Sequence, residues 1–390
     1  MIDENRILGN LKELSFPRLS GTKFEKRAFN LVKKKIENYG FSPSFQEFSF
    51  SIFFSRIYPK LALTLVSWLV LVLFLNLHII FSLVNLILIL ILISILIILA
   101  RNPERIKLGR KYYSQNLYLK LSPKSKDENS DHNILLFSHL DSKGQTFSIK
   151  IRIEIYYVWV ITFPLGLIIT ISNYFLLPNT YLLLHILGIL VLGLNSIAIL
   201  GLWLNRTNNI SKGAIDNASG IACLLELLQY FSLEKNLLKT YNLWFVFTGA
   251  EESGTMGVRN FYKYIKDFDR DKTFISNFDS FANKINIWDH GLLNNKYYKA
   301  YNYILENKDM MILEKKTRKF YIGLYSDGLF LYNKDFQGIG TGDRSVHSYV
   351  HSVHDDVDKI NIKILKKICE FYTILLNEVD KNIKNVKRAD

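Results

Sequence analysis

The chain has 390 residues and a formal net charge of +14, and its length suits one large α/β domain or two smaller ones. The charge is unevenly distributed, because residues 61–100 and 155–205 contain no Asp, Glu, Lys or Arg. No nucleic-acid recognition motif accompanies the positive charge, so contact with anionic lipid head groups is favoured over binding of nucleic acid. Cys223 and Cys369 lie on apolar helical faces, which indicates buried thiols rather than a disulfide framework.

Residues 1–56 predict a soluble segment. Apolar side chains recur at helical spacing from Phe24 to Ile36, and Gly40 supplies the stop signal. An aromatic-rich run at residues 45–54 predicts a strand after this helix. The N-terminus is acidic and polar, so we expect no secretory signal peptide.

The two uncharged stretches predict about four transmembrane helices, arranged as two hairpins. One span needs about 20 apolar residues, so residues 61–100 suit two spans with a turn near residues 76–78. Residues 155–205 likewise divide at residues 178–180, and Pro164 predicts a kink in the third span. Core helices of a soluble protein would be shorter and would carry a charged face, which neither stretch has.

The charges around the two stretches predict an orientation. Each hairpin returns the chain to its starting side, so all soluble segments share one side of the membrane. The two connecting turns carry no Lys or Arg, and the positive-inside rule therefore places the soluble side in the cytoplasm. We expect an integral, multi-pass protein with membrane lipid as a partner. The basic residues that flank the stretches are Arg56, Lys60, Arg101, Arg105, Lys107, Arg110, Lys111, Lys150, Arg152, Arg206 and Lys212.

A soluble α/β pattern resumes between the hairpins and continues after them. Helical periodicity predicts a helix at residues 218–231 and a final helix whose apolar stripe runs from Ile364 to Val379. Short apolar runs that end in turn residues predict strands at residues 116–121, 134–138, 243–248, 273–278 and 284–288.

Metal-binding residue types follow several of these strands. In an α/β sheet, ligands and catalytic groups gather at the carboxyl ends of strands. The adjacent acids Glu251 and Glu252 would be costly as like charges unless a cation or a shared proton compensates them, although a solvated acidic turn is the alternative. The candidates are His139 and Asp141 after the 134–138 strand, Glu251 and Glu252 after the 243–248 strand, Asp279 after the 273–278 strand, Asp216 ahead of a helix, and His347, His351 and His354 before the final helix.

Two of these candidates have specific local explanations. The spacing of His139 and Asp141 lets the histidine bind a metal while the acid two residues later orients its ring. Asp216 precedes a helix, so its local pattern also fits a helix N-cap without any metal.

Five short motifs follow one another along the chain, namely His139-x-Asp141, Asp216-Asn217-Ala218-Ser219-Gly220, Glu251-Glu252-Ser253-Gly254, Asn277-Phe278-Asp279 and His351-Ser352-x-x-Asp355. This order closely resembles the co-catalytic dizinc aminopeptidases, a family that also includes the glutamate carboxypeptidases. Pro17-Arg18-x-x-Gly21-Thr22 and Ser326-Asp327 are similar to further elements of that family. The resemblance covers nearly the whole chain except the two apolar stretches, and five motifs in family order argue against coincidence.

The resemblance implies a central mixed β-sheet with helices on both faces and two zinc ions over the carboxyl ends of its strands. Asp216 would bridge the two ions, and Asp141 would hold the ring of His139. Glu251 would be the general base, taking a proton from the attacking water. The remaining ligands implied are His139 and Asp279 for one ion, and Glu252 and His351 for the other.

The chain departs from the family pattern at three places. A membrane hairpin separates His139 from Asp216, where the family has a hydrophilic connection. Gly328 follows the Ser-Asp element, where the family often has a histidine. No residue stands out for polarising the substrate carbonyl, and Tyr325 is only a candidate.

The histidine ligand near the C-terminus has two candidates. His354 stands four residues before Asp358, an acid, and so competes with His351. The family's motif serine at Ser352 favours His351, whose ring Asp355 would orient.

The sequence therefore predicts a membrane-embedded zinc aminopeptidase that acts on a peptide or amide substrate. The alternatives are a dizinc deacylase of lipid-like or N-acyl amides, and a receptor-like relative without activity, which would require lost ligands. We expect one peptidase domain interrupted twice, with residues 1–60, 101–154 and 206–390 in the peptidase domain, and residues 61–100 and 155–205 in the hairpins.

Overall fold

The computed structural model describes residues 1–76, 78–125, 131–175, 181–289, 313–315 and 326–386, which form two compact units. The sheet unit comprises Met1–Phe50, Tyr112–Gly144 and Asn209–Asp390. The helical unit comprises Ser51–Lys111 and Gln145–Asn208. The helical unit is therefore built from two segments inserted into the sequence of the sheet unit.

The strands of the described residues are β1 (Ser44–Ser51), β2 (Lys111–Leu121), β3 (Asn133–His139), β4 (Gly144–Gln145), β5 (Thr207–Asn208), β6 (Asn242–Thr248), β7 (Thr273–Phe278), β8 (Ile285–Asp289), β9 (Leu313–Lys315) and β10 (Gln337–Gly342). Eight of them form one mixed sheet in the order β1-β2-β6-β3-β7-β10-β8-β9. Strands β6, β3, β7 and β10 are parallel, whereas β2 and β8 pair antiparallel with β6 and β10. The central strands are almost continuously apolar because both of their faces are buried.

The α-helices of the described residues are α1 (Glu4–Leu14), α2 (Lys23–Asn38), α3 (Tyr58–Phe74), α4 (Ile79–Ala100), α5 (Ile149–Phe175), α6 (Tyr181–Leu204), α7 (Ser219–Phe231), α8 (Met256–Ile265), α9 (Asp327–Tyr332) and α10 (Ile362–Val386). Helices cover both faces of the large sheet. Ile275 of β7 belongs to a buried cluster with Phe261 of α8 and Leu331 of α9. The next residue, Ser276, points to the opposite face and hydrogen-bonds Tyr372 of α10.

Two strand boundaries differ from the sequence prediction by more than one residue. The strand expected at residues 45–54 ends at Ser51, and Phe53–Ile57 forms a helical turn that leads into α3. A short aromatic run fits a strand and an apolar helix equally well, so its pattern could not locate this change. Strand β2 begins five residues before the predicted 116–121 strand, because its first residues are polar and partly exposed.

In the helical unit, α3 packs against α5 and α6. Val70 and Phe74 of α3 form a buried cluster with Leu192 of α6, and Phe163 of α5 lies against it. Gly188 allows this close approach, because a Cβ there would lie 2.2 Å from the Phe74 ring. Small residues commonly permit such contacts between membrane helices.

Polar side chains of the helical unit hydrogen-bond between helices. Asn195 Nδ2 donates to Thr162 Oγ1 at 3.0 Å, and Trp159 Nε1 donates to Ser67 Oγ at 2.9 Å. These interhelical hydrogen bonds give the polar side chains partners where water is absent. Pro164 lies within α5, which is one uninterrupted helix, and the turn predicted at residues 178–180 lies outside the described residues.

Four helices of this unit are long and apolar enough to cross a membrane. They correspond to the two predicted hairpins and expose many large apolar side chains, such as Ile80 at 63% and Ile197 at 66%. So much exposed apolar surface indicates association with a membrane. The candidate spans are Phe53–Phe74, Ile79–Ala100, Ile149–Asn173 and Leu182–Leu204.

Candidate metal centre

The candidate site lies at the carboxyl ends of β3, β6 and β7. His139 is the last residue of β3 and pairs in register with Thr248, the last residue of β6. Asp279 follows directly after β7, which is parallel to β3. Because these parallel strands end at the same edge of the sheet, they bring together residues more than 100 positions apart.

Two groups of side chains at this edge have metal-ligand geometry, and they share Asp216. In the first group, His139 Nε2 lies 3.0 Å from Asp216 Oδ1 and 3.7 Å from Asp279 Oδ1. In the second group, His351 Nε2 lies 3.2 Å from Asp216 Oδ2 and 2.9 Å from Glu252 Oε1. Asp216 therefore directs one carboxylate oxygen into each group.

The donor atoms of each group could hold one metal ion. They all lie within 4.8 Å of one another, and each group combines one imidazole nitrogen with carboxylate oxygens. Mixed nitrogen and oxygen ligands suit zinc. All five side chains are largely buried. Without a bound cation, their carboxylates would carry charge in an environment that disfavours it.

Asp141 holds the turn that carries Glu251 and Glu252. Its Oδ1 accepts from the Glu251 N–H at 3.1 Å, and its Oδ2 accepts from the Glu252 N–H at 3.0 Å. The Ser20 hydroxyl also donates to Oδ2, at 2.5 Å. The ring Nδ1 of His139 lies 3.1 Å from the Asp141 carbonyl oxygen and 3.5 Å from its carboxylate. Asp141 thus contacts both the histidine and the acidic turn.

A second buried acid supports the same turn. Ala250 precedes Glu251 and has a positive φ of 51°, and its N–H donates to Glu25 Oε1 at 2.8 Å. Glu25 also accepts from the Ser114 hydroxyl at 2.7 Å and from the Gly21 N–H at 2.6 Å. Burial raises the pKa of Glu25 to about 8, while these three hydrogen bonds oppose the rise.

The Asn217 side chain joins the ends of β3 and β7 to the first turn of α7. Its amide nitrogen donates to Ser138 Oγ at 3.1 Å and to the Phe278 carbonyl at 2.8 Å. Its amide oxygen accepts from the Gly220 N–H at 3.2 Å. Since Ser138 precedes His139 and Phe278 precedes Asp279, this one side chain fixes the spacing of the first group.

Arg18 is fully buried beneath the site. Its guanidinium donates to the carbonyls of Leu140 at 2.9 Å, Lys212 at 2.9 Å and Gly213 at 3.0 Å. Gly213 has a positive φ of 60°, and a Cβ there would lie 2.4 Å from Ser142, so a larger residue does not fit. Arg18 therefore joins the segment after β3 to the segment before Asp216.

The two adjacent glutamates have opposite electrostatic environments. Burial raises the pKa of Glu251 well above its usual value, and the charges of Glu252 and Asp327 raise it further against the opposing effect of His139. Burial also raises the pKa of Glu252, but the charges of His351 and Lys143 outweigh burial and lower it to about 2. Such a difference in pKa between two neighbouring carboxylates indicates that they have different roles.

The histidine and carboxylate ligand candidates stabilise each other's charged forms. Burial opposes the charged form of His139, but its hydrogen bonds with Asp141, Asp216 and Asp279 outweigh burial and raise its pKa well above the ordinary value. His139 and His351 likewise hold the pKa of the buried Asp216 below its usual range. Perturbed pKa values of this kind cluster at functional sites.

Of the histidines considered near the C-terminus, the structure brings His351 into the site. His347 and His354 are both exposed, and desolvation of the His347 ring and the charge of Arg344 lower the pKa of His347. Asp355 Oδ1 accepts a hydrogen bond from the Ile215 N–H at 2.6 Å. This bond holds the segment that precedes Asp216.

The late Ser-Asp element also lies near this edge. Thr248 Oγ1, at the end of β6, donates to the buried carboxylate of Asp327. Burial raises the pKa of Asp327 to about 7. Tyr325, the candidate for polarising the substrate carbonyl, lies outside the described residues.

The sequence reasoning missed Lys143, Ser20 and Glu25. Lys143 follows the His-x-Asp motif by two residues, but no spacing rule marks a lysine there. Ser20 lies between the motif residues Arg18 and Gly21, and this position is the sequence feature that could have identified it as a site residue. Glu25 looks like an ordinary acid in the first turn of α2.

Comparisons with known proteins bear on this geometry. Residues 196–373 match the family model for Peptidase family M28. Comparison with curated protein sequences gives no significant match. The chain is similar in fold to an aminopeptidase from Aneurinibacillus sp. strain AM-1, with 13% identity, a TM-score of 0.59 and coverage of 97% of this chain and 94% of that chain.

Two further solved structures have the same fold. One is BSAP, a zinc aminopeptidase from Bacillus subtilis, with 11% identity, a TM-score of 0.56 and coverage of 97% and 95%. The other is a leucine aminopeptidase precursor from Bacteroides thetaiotaomicron, with 12% identity, a TM-score of 0.54 and coverage of 97% and 97%. The predicted aminopeptidase-like α/β fold and the predicted family are confirmed. Residues 196–373 of the chain therefore form a domain of peptidase family M28.

Proposed function

We propose that the chain is a zinc-dependent aminopeptidase that hydrolyses peptide bonds at a dizinc centre. The observation that carries this proposal is Asp216, which directs one oxygen into each of two ligand groups. A carboxylate in this position can join two ions in one centre. Because the family is a peptidase family, a peptide is the expected substrate.

The residues at the site fit zinc. His139, Asp216 and Asp279 would hold one ion, and Glu252 and His351 would hold the other together with Asp216. Bound zinc would supply Lewis-acid activation of a water molecule and of the scissile carbonyl.

Glu251 is the residue best suited to accept the proton from the attacking water. Its carboxylate belongs to neither ligand group, and within the described residues it makes no hydrogen bond or ion pair. Burial raises its pKa, which increases its affinity for a proton. Asp141 fixes the Glu251 backbone, so the carboxylate stays beside the site.

The alternative is a dizinc deacylase of N-acyl or lipid-like amides. Hydrolysis of such a substrate needs the same ligands and the same base, so the metal centre does not separate the two activities. A receptor-like protein without activity is disfavoured, because all five ligand candidates and the base are present.

An assay of purified protein in detergent tests the proposal. We expect aminoacyl fluorogenic amides to be hydrolysed faster than their N-acyl counterparts, and we expect a zinc chelator to abolish turnover reversibly. The Glu251→Gln protein, purified in parallel, controls for contaminating peptidases. A preference for N-acyl substrates would establish the deacylase instead, and binding without turnover of either class would favour a receptor.

The arrangement proposed for the chain is a peptidase domain with two membrane hairpins. The peptidase domain would comprise residues 1–60, 101–154 and 206–390, and the hairpins residues 61–100 and 155–205. The four apolar helices support membrane insertion. Basic residues cluster at the flanks and are absent from the connecting turns in the sequence, which supports a cytoplasmic catalytic side.

Cysteine labelling tests this orientation. A cysteine at Asn179, in the second connecting turn, should react with an impermeant thiol reagent added to intact cells, whereas one at Asp131 should react only after permeabilisation. Native background should be low, because Cys223 and Cys369 are buried. Labelling of Asp131→Cys but not Asn179→Cys in intact cells would place the catalytic side outside.

A further inference from the structure

Lys143 forms an ion pair with one of the proposed zinc ligands. Its Nζ lies 2.5 Å from Glu252 Oε2, whereas the other carboxylate oxygen, Oε1, lies 2.9 Å from His351 Nε2. The two oxygens of Glu252 therefore have different partners. One faces the second ligand group, and the other faces a lysine.

The backbone from which Lys143 extends is held in place. Ser142 donates its N–H to the Arg18 carbonyl at 3.1 Å, and its hydroxyl accepts from the Arg18 N–H at 2.9 Å. Asp141, one residue earlier, accepts from the Glu252 N–H. Residues 141–143 thus hold Glu252 at two points, by its backbone through Asp141 and by its carboxylate through Lys143.

This ion pair is unlike an ordinary surface pair. The side chains of Lys143 and Glu252 are 16% and 5% exposed, whereas those of the nearby pair Lys212 and Asp356 are 48% and 33% exposed. Exposed pairs contribute little because water screens them and the side chains lose entropy. A pair as buried as Lys143 and Glu252 fixes the geometry of its carboxylate.

We propose that Lys143 is a positioning residue of the metal centre, which holds Oε2 of Glu252 so that Oε1 is the oxygen offered to zinc. This inference rests on the proposed zinc function. Lys143 contacts the second ligand group through Glu252, and the described residues give it no contact with His139 or Asp279. Its effect should therefore be confined to one of the two ions.

Metal titration of three variants tests the role of Lys143. Metal-free protein is titrated with zinc against a chromophoric chelator, which gives the number of ions bound and the affinity of each. We expect Lys143→Met to weaken one of two sites by about 10- to 100-fold, because removing the partner of a metal ligand typically has that effect. Lys143→Arg, which keeps a charged donor, should restore most of the affinity.

Lys212→Met is the matched control, because it removes a lysine from the exposed pair with Asp356 and should leave both sites unchanged. If Lys143→Met does not fold, Lys143→Gln keeps a donor of similar length and should show a smaller loss confined to the same site. Unchanged or tighter binding in Lys143→Met, or equal weakening of both sites, would overturn the inference. Wild-type protein that binds no zinc would overturn the proposed function as well, so the two failures are distinguishable.

Discussion

Replacing Glu251 by Gln is expected to reduce turnover by about 10²- to 10⁴-fold while two zinc ions remain bound. Glutamine has nearly the same shape but cannot accept the proton, and Glu251 belongs to neither ligand group. The backbone bond from Glu251 to Asp141 does not depend on the side chain, so the turn should keep its position. The measurements are turnover of an aminoacyl amide and zinc content after gel filtration.

Glu252→Gln is the matched control for this experiment. It makes the same chemical change at the next residue, but Glu252 lies 2.9 Å from His351 within the second ligand group. We expect it to lose one zinc ion, so metal content separates the two glutamates. Loss of zinc from Glu251→Gln would assign Glu251 to ligation and would contradict the proposed base.

The second large effect is expected at Asp216. Asp216→Ala removes a ligand from both groups at once, so both ions should be lost or bound far more weakly, and turnover should be undetectable. Asp279→Ala removes a ligand from the first group alone and should leave about one ion. The zinc content of wild type, Asp279→Ala and Asp216→Ala should therefore fall from two to one to none.

Asp356→Ala provides the control for folding and purification. Asp356 pairs with Lys212 at the surface and belongs to neither group, so its zinc content should match the wild type. If Asp216→Ala kept one ion at wild-type affinity, Asp216 would serve a single site and the two groups would not form one centre.

The inserted segment Gln145–Asn208 lies in the sequence between two parts of the proposed metal centre, and Arg18 connects the residues on either side of it. The guanidinium reaches Leu140, before the segment, and Lys212 and Gly213, after it. Each of these contacts lies within the sheet unit. The proposed ligands His139 and Asp216 are therefore held by hydrogen bonds that do not involve the inserted helices.

Much of the architecture followed from the sequence alone. Candidate membrane spans, buried strands and amphipathic helices depend on residues within about 20 positions of one another, so local hydropathy and periodicity identify them. The proposed ligands His139, Asp216, Glu252 and Asp279 could be named because they occur in motifs whose order resembles a known family.

The tertiary structure decided which residues meet. His351 and His354 are three positions apart and of equal chemistry, yet the ring of His351 lies against Glu252 while His354 is exposed. Lys143 and Arg18 are ordinary in the sequence, because nothing local indicates that one reaches a carboxylate 109 positions away and the other a carbonyl 194 positions away. Such contacts arise where parallel strands end at one edge of a sheet, so their partners are set by strand order and not by local pattern.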